Sequence, residues 1–181
     1  MDIGMVEESI IEVRITRIEQ LFNSFDPSPF DERDLDKDAE EHITGWAREL
    51  PKNTEIRIVV YLPTQEAKRA AEKDLGLALT NYFRVRAEWL YRDIRELFRV
   101  GWGYFFIGLF VLITCLGASH LIPRLIGQGA LAAIIKESLI ILGWVANWKP
   151  LETFLYDWLP LRRKAKLYHR ISEATVEIKS S

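Results

Sequence analysis

The chain has 181 residues, with 24 Lys or Arg against 26 Asp or Glu, so its formal net charge is −2. This balance disfavours a basic nucleic-acid-binding protein, and a single cysteine, Cys115, excludes a disulfide scaffold. A hydrophobic content of 49% excludes intrinsic disorder. The charge is unevenly distributed, because residues 1–100 contain 15 basic and 21 acidic side chains whereas residues 101–135 contain only Arg124. These features indicate a small membrane protein with a cytosolic part.

Residues 1–63 are predicted to form a cytosolic α/β segment. Apolar and charged residues alternate over 9–15, which is typical of a half-buried strand. Residues 55–62 are rich in β-branched side chains and predict a second strand. Residues 174–179 predict a third strand that joins the first two.

A short helix and a loop follow the first strand. Thr16 and Glu19 have the spacing of a capping box, which favours the short helix. The prolines and serines of residues 23–34 predict the loop, and we expect Phe25 and Phe30 to pin it to the core.

A helix is predicted over residues 35–50, ended by Pro51. Its apolar stripe consists of Leu35, Ala39, Ile43, Trp46, Ala47 and Leu50. Acidic residues crowd its first turns, where the helix dipole favours them. The loop and helix therefore offer a candidate surface for a cytosolic protein partner. Its acidic residues are Asp31, Asp34, Asp36 and Asp38.

No catalytic or metal-binding motif is found. An EF-hand loop that starts at Asp34 fails, because Ala39 stands at the required glycine and Gly45 at the required glutamate. The three histidines lie in separate elements, and there is no phosphate-binding loop or nucleophile elbow. We therefore expect a protein that is not an enzyme and has no catalytic residues, metal or cofactor.

Residues 64–100 are predicted to form a long stalk helix, interrupted at most by Gly76. Its apolar residues recur at spacings of three and four, as in a coiled coil or bundle. They are Ala71, Leu75, Ala78, Tyr82, Val85 and Trp89. This seam is short, so packing within the chain and self-association both stay open.

Residues 101–149 are predicted to form a transmembrane hairpin. The first span, 102–122, has no Asp, Glu, Lys or Arg, and about 20 apolar residues suffice to cross a bilayer. The second span, 126–148, is long enough despite two charged residues near its middle, with a re-entrant or interfacial helix as the alternative. The linker 123–125 is short, and Gly129 with Ala133, four residues on, favours close helix packing.

The flanking residues predict that both termini are cytoplasmic. Basic side chains flank the outer ends of both spans, whereas the linker has only Arg124. The basic residues taken as topology or lipid-headgroup determinants are Arg95, Arg99, Arg162, Arg163, Lys164 and Lys166. Interfacial aromatic residues are Trp102, Tyr104, Trp144, Trp148 and Trp158. Within the terminal segment 150–181, residues 150–159 are expected to form an interfacial amphipathic helix before the basic segment and third strand.

Lys136 and Glu137 are the polar residues inside the second span. A charge at the bilayer centre costs about 2.5–3.5 kcal/mol on insertion scales, so such a residue usually faces protein or water. Adjacent helical residues point about 100° apart and pair poorly, but Lys136 could pair with Glu137 of a neighbouring copy. An ion or proton site, a structural pair and a misplaced span all stay open.

Two long stretches are distinctive. They are FDPSPFDERDLDKDAEEHI (25–43), which WAREL follows, and GWVANWKPLETFLYDWLPLRRKAKLY (143–168). Together with GWGYFFIGL (101–109), they resemble a family of uncharacterised bacterial two-span membrane proteins, over most of residues 11–178. The resemblance implies a bacterial inner-membrane protein and assigns no activity or catalytic residue.

The sequence thus predicts an α+β membrane protein: a transmembrane helical hairpin, a long stalk helix and a small cytosolic α/β domain of about three strands. One functional hypothesis is a homo-oligomeric scaffold or ion-conducting pore in the lipid bilayer. The alternative is a membrane-anchored adaptor that recruits a cytosolic partner through its acidic loop and helix, residues 26–41. No nucleic-acid partner is expected.

Overall fold

The computed structural model describes residues 9–52, 54–127 and 129–180, and only the backbone of Ile126. Most of this described chain is helical. The strands are β1 (Ser9–Arg14), β2 (Ile56–Leu62) and β3 (Thr175–Ser180). The helices are α1 (Lys37–Glu49), α2 (Thr64–Glu72), α3 (Leu75–Ile126), α4 (Ala130–Val145), α5 (Trp148–Glu152) and α6 (Trp158–Ser172), with a 3-10 turn at Ile18–Leu21 and a π-helical turn at Thr153–Asp157.

The three predicted strands are confirmed, and they form one parallel sheet in the order β1-β2-β3. Val60 of the central strand lies between Val13 and Ile178. Parallel strands cannot be joined by a tight turn and need a crossover connection. The first crossover contains α1, and the second contains every helix from α2 to α6. The long apolar helices are therefore an insertion between two neighbouring strands.

The chain divides into two compact units. The α/β unit comprises the described residues up to Leu90 together with those from Arg163 onward, and the helical unit is Tyr91–Arg162. The core of the α/β unit is built from the sheet, α1, the start of α3 and the end of α6. Its largest fully buried side chains include Ile11, Ile43, Ile58, Leu79, Phe83 and Ile171. Burial of each such side chain contributes about 1.5–3 kcal/mol, so this core accounts for much of the stability of the unit.

The predicted continuous helix over residues 64–100 is wrong in its first part. The chain breaks at Lys73 and Asp74, and Asp74 has a left-handed φ of 51° that ends α2 and redirects the backbone into α3. Asp adopts this region more readily than most residues because its short side chain bonds locally. Gly76, the expected interruption, lies inside α3.

The apolar seam of the predicted stalk is partly used inside the α/β unit. Leu75, Ala78 and Tyr82 are buried in its core, whereas Ala71 is exposed and Trp89 is 43% exposed. Of the two alternatives left open by the spacing, packing within the chain therefore accounts for the middle of the seam.

The loop before α1 is anchored differently from the prediction. Phe30 packs on Phe22 with ring centroids 4.7 Å apart, as expected, but Phe25 is 93% exposed. The carboxylate of Asp26 holds the loop instead, because it accepts the backbone N–H groups of Ser28 (2.9 Å) and Asp34 (2.7 Å). The loop is thus closed by hydrogen bonds and needs no apolar anchor at Phe25.

The expected capping box also uses another residue. Gln20, not Glu19, completes it, since Gln20 Oε1 accepts the backbone N–H groups of Thr16 (2.9 Å) and Arg17 (3.2 Å).

Within the helical unit, α3 and α4 pack through small residues. A Cβ at Gly143 would lie 2.9 Å from Leu112 Cδ1 and 3.3 Å from Cys115 Cβ. Buried Asn147, which follows α4, donates to the carbonyl oxygens of Gly108 (3.1 Å) and Gly143 (3.0 Å). The two helices are therefore joined by a close approach and by the side-chain amide of Asn147, whose two N–H groups both donate.

The turn of this hairpin lies later than predicted. Residues 123–125 belong to α3, and the chain turns at Gly127, whose φ of 85° favours glycine. Pro123 lies inside α3, where proline has no N–H to donate to the Ser119 carbonyl oxygen four residues earlier. Gly129, expected to mediate packing, lies in open space, since a Cβ placed on it would meet nothing within 4 Å in the described chain. Gly143 is the glycine at the close approach instead.

Two helical stretches, Leu75–Leu125 and Ala130–Ser172, are long and apolar enough to cross a membrane, by length and composition. The most apolar window of each is only 17% buried. The predicted helix over 150–159 is divided among α5, the π-helical turn and α6. Phe154 and Trp158 on its apolar face pack on Phe98, at centroid distances of 5.8 and 6.1 Å, so part of that face is already covered.

The close approach at Gly143 generates a test that uses Cys115. In Gly143→Leu, overpacking costs about 1–3 kcal/mol, so α3 and α4 separate more often. We expect maleimide labelling of buried Cys115 to accelerate about tenfold in detergent micelles. Gly117→Leu is the matched control, because a Cβ at Gly117 meets nothing within 4 Å. Equal labelling rates in the two variants would contradict the packing described here.

Candidate functional site

The charged pair in α4 lies on an apolar, exposed surface. Lys136 and Glu137 are both exposed, and neither makes a hydrogen bond or ion pair within the described residues. Ile134 and Ile141, which share the helical face of Glu137, are 62% and 63% exposed. Glu137 is therefore the centre of an apolar stripe and has no partner in the part of the chain that is described.

The aromatic residues expected at a membrane interface fall into two groups. Trp102, Tyr104, Trp144 and Trp148 are each more than half exposed. Trp158 is partly buried instead, and its indole N–H donates to the carbonyl oxygen of Phe154 at 2.9 Å. Trp158 therefore has a packing role that its position in the sequence did not indicate.

The six basic residues taken as headgroup or topology determinants are all exposed. They are Arg95, Arg99, Arg162, Arg163, Lys164 and Lys166. Three of them also make local contacts. Arg99 pairs with Glu96 at 2.9 Å, Arg162 lies over the Trp158 ring, and Lys164 lies over the Tyr168 ring.

The acidic residues of the loop and α1 have different surroundings. Asp31 and Asp34 belong to the loop closed by Asp26, and backbone hydrogen bonds from Asp34 and Ser28 lower the pKa of Asp26 to about 2. Asp36 is the N-cap of α1 and accepts the backbone N–H of Asp38 at 2.9 Å. The carboxylates of the four predicted partner residues make no ion pair with a Lys or Arg in the described chain. Among the described residues, no group of three His, Cys, Asp or Glu side chains is arranged to hold a metal ion.

Asp36 and Asp38 line an open groove of about 880 Å³ between β1 and α1. Its apolar wall includes Ile10, Leu21 and Trp46. Trp46, predicted as part of the buried stripe of α1, is 52% exposed. The stripe is thus divided, since Ile43 and Ala47 enter the core while Trp46 faces the groove. Asp31 and Asp34 are not among the residues that line it.

A cluster around Glu40 joins three helices of the α/β unit. The Glu40 carboxylate of α1 accepts the hydroxyl of Tyr82 from α3 at 2.7 Å and the hydroxyl of Tyr168 from α6. Arg86 Nε donates to the Tyr82 hydroxyl oxygen at 3.1 Å. In the sequence, Glu40 is one of the acidic residues in the first turns of the predicted helix, and local spacing contains no signal for partners 42 and 128 residues away.

The protonation states in this cluster follow from its geometry. Burial raises the pKa of Glu40, but hydrogen bonds from Tyr168 and Tyr82 and the charge of Arg86 outweigh it, so the pKa is lowered. Burial and the Glu40 carboxylate raise the pKa of both tyrosines. At neutral pH the cluster consists of the ionised Glu40 carboxylate and two neutral tyrosine hydroxyls. The two hydrogen bonds, called the Glu40 tether below, join α1 to α3 and α6. None of these groups has a pKa near 7, where proton transfer is most efficient.

Comparison of the chain with protein-family models, with curated protein sequences and with solved structures shows no significant match.

The Glu40 tether predicts a pH-dependent stability. A lowered pKa in the folded state means that the contribution of Glu40 is full above the ordinary value of 4.5 and is lost as pH falls through the lowered pKa. At pH 7 we expect Glu40→Gln to reduce the free energy of unfolding by about 1–3 kcal/mol, because charge-assisted hydrogen bonds are lost. The difference from wild type should shrink in strong acid, where wild-type Glu40 is itself protonated. Urea unfolding followed by tryptophan fluorescence measures both quantities.

Glu41→Gln provides the control for that experiment. Glu41 is exposed, and among the described residues its carboxylate pairs with Lys37 alone, at 3.8 Å. Exposed pairs of this kind contribute about 0–1 kcal/mol, so this variant should stay close to wild type. A Glu40→Gln variant as stable as Glu41→Gln at pH 7 would show that the tether is unimportant.

Proposed function

We propose that the chain is a two-span protein of the bacterial inner membrane, with both termini cytoplasmic, that assembles with copies of itself into a scaffold or ion-conducting pore. The observation that supports assembly is Glu137, exposed on an apolar helix and unpaired within the described chain. The bacterial inner-membrane location in this proposal comes from the predicted resemblance to bacterial two-span membrane proteins.

The exposure of the apolar helices supports membrane insertion. A core helix of a soluble protein would be mostly buried, whereas the apolar windows of both candidate spans are 17% buried. The exposed side chains of α3 include Phe106, Ile107, Phe110, Ile113 and Leu121. Soluble monomers rarely expose continuous apolar surface on this scale, and lipid tails would cover it.

The energetics of Glu137 support self-assembly. A carboxylate at membrane depth costs about 2.5–3.5 kcal/mol unless it contacts a polar group or water. Lys136 points about 100° away on the same helix, so the two residues of one chain are poor partners. Pairing of Glu137 with Lys136 of a neighbouring copy would offset the cost, and a ring of carboxylates around water would do so as well. Both arrangements need several copies.

Native mass spectrometry of the protein in lipid nanodiscs tests the assembly. We expect a single closed stoichiometry of at least about four copies for wild type, since a ring is needed to enclose water. Glu137→Leu should lose this stoichiometry. The double variant Lys136→Glu with Glu137→Lys exchanges the two charges, and it should keep the wild-type stoichiometry if the two residues pair between copies. Ser138→Ala, at an exposed neighbouring position, is the control. A wild-type monomer would refute the proposal.

Single-channel recording separates the two forms of the proposal. A pore lined by Glu137 should conduct in planar bilayers, and Glu137→Gln should change its conductance while the copies stay together. An assembly without conductance is the scaffold form.

A second candidate function is a membrane-anchored adaptor. The observation that favours it is the loop closed by Asp26, which contains Phe25 at 93% exposure and the exposed Asp31 and Asp34. An exposed aromatic side chain in an acidic loop is suited to a basic protein surface, where aromatic residues often dominate the binding energy.

Charge reversal in the loop tests the adaptor function. The double variant Asp31→Lys with Asp34→Lys should no longer capture the soluble proteins that the full-length wild-type protein captures. Its two new lysines would repel a basic partner. Glu72→Lys, an exposed acidic position on α2, is the control. Identical sets of captured proteins in wild type and both variants would remove the support for an adaptor.

A further inference from the structure

The outer edge of β1 has unpaired backbone groups. Strand β1 pairs only with β2 in the described sheet. Backbone groups of successive residues point to opposite sides of a strand, and the N–H of Ile15 donates to the Tyr61 carbonyl oxygen of β2 at 3.1 Å. Ile10, Glu12 and Arg14 therefore direct their N–H and C=O groups away from β2. Of these groups, only the Glu12 carbonyl has a partner within the described residues, the Nε2 atom of His42 at 3.3 Å.

The groove between β1 and α1 follows this edge. Ile10, Glu12 and Arg14, the three residues with outward backbone groups, all line it. Its volume of about 880 Å³ is within the range of sites that hold a compact ligand or a short peptide. Trp46 forms part of the far wall. The rings of His42 and Trp46 meet edge to face, with centroids 6.3 Å apart.

The charge of the groove is acidic. Arg14 pairs with Glu12 at 3.2 Å, so these two charges offset each other. Asp36 and Asp38 make no ion pair within the described chain. Basic side chains on an occupant would complement them, while an apolar side chain would contact Trp46.

We infer that this groove binds an extended, basic peptide segment of a partner protein, which adds a strand to β1. The backbone of the peptide pairs with Ile10, Glu12 and Arg14, and one of its N–H groups replaces His42 at the Glu12 carbonyl. Lys or Arg side chains of the peptide face Asp36 and Asp38. This assignment rests on the recruiting role of the second candidate function, and it adds to the loop of Asp31 and Asp34 a second, separate surface with a partner of stated chemistry.

A second copy of the chain fits this edge less well. His42 reaches the outward carbonyl of Glu12, so α1 overhangs the edge of the sheet. Two-fold symmetric pairing of β1 with β1 of a second copy would place both α1 helices beside the same pair of strands. The acidic residues of the two copies would then lie close together. A segment that has no helix beside its strand avoids this clash.

Fluorescence anisotropy with the full chain in phosphatidylcholine nanodiscs tests the inference. The probe is a labelled peptide about seven residues long, the length of a typical strand, with alternating Val and Lys. We expect it to bind at least about tenfold more tightly than a Val and Glu peptide, and than a copy N-methylated at alternate amides, which cannot form a ladder. Phosphatidylcholine is zwitterionic and has no net charge, so the bilayer lacks the anionic lipids that attract basic peptides.

Glu12→Pro and Glu12→Ala form a matched pair of variants. Proline removes an outward N–H that β2 does not use, and edge strands tolerate proline at such positions. Both variants remove the Glu12 carboxylate and its pairing with Arg14, and only proline also removes the outward N–H. We therefore expect Glu12→Pro to bind the Lys peptide about tenfold more weakly than Glu12→Ala does. Trp46→Ala and Asp38→Lys should weaken it as well. Circular dichroism and thermal melting establish that each variant is folded.

Three results would overturn the inference. They are no binding of the Lys peptide, equal binding of the Lys and Glu peptides, and equal binding by Glu12→Pro and Glu12→Ala. Binding that appears only after removal of residues 1–8 would assign the groove to the N-terminal segment of this chain instead of a partner. The recruiting role itself is tested separately at Asp31 and Asp34, which lie outside the groove, so failure at the groove and failure of that role are distinguishable.

Discussion

The carboxylate of Glu40 accepts hydrogen bonds from Tyr82 and Tyr168, and so joins α1 to the helices that lead out of and back into the α/β unit. This contact matters because β3 must return beside β2 after an insertion of more than one hundred residues. No short turn joins these two parallel strands, because they are distant in sequence, so their pairing must close a long connection. The tether and the core around Phe83 therefore bring the ends of the insertion together within the unit.

Two polar side chains of the helical unit, Asn147 and Glu137, differ in whether hydrogen bonds within the chain satisfy them. Asn147 is buried, and its amide donates to two backbone carbonyl oxygens, so its desolvation is compensated inside the chain. Glu137 lies on a more exposed part of the same helical region and has no such compensation among the described residues. This contrast favours a partner outside the chain for Glu137, whereas Asn147 serves the packing of the hairpin.

The acidic run before and within α1 has at least four separate roles, although its residues are chemically alike. Asp26 closes the loop through backbone N–H groups, Asp36 caps α1, and Glu40 binds two tyrosines. Asp38 lines the groove beside the free edge of β1. The acidic charge of the segment is thus partly structural, although a structural role does not remove a carboxylate from the surface, since Asp36 both caps α1 and lines the groove.

The sequence by itself determined the three strands, the helix that became α1 and the two long apolar helices, because alternation, helical spacing and apolar length are local properties. The tertiary structure alone decided the parallel order of the strands, the break at Asp74 and the exposure of Phe25 and Trp46. It also brought Tyr168 to Glu40. These features depend on which distant surfaces meet, and local spacing contains no information about residues that approach from elsewhere in the chain.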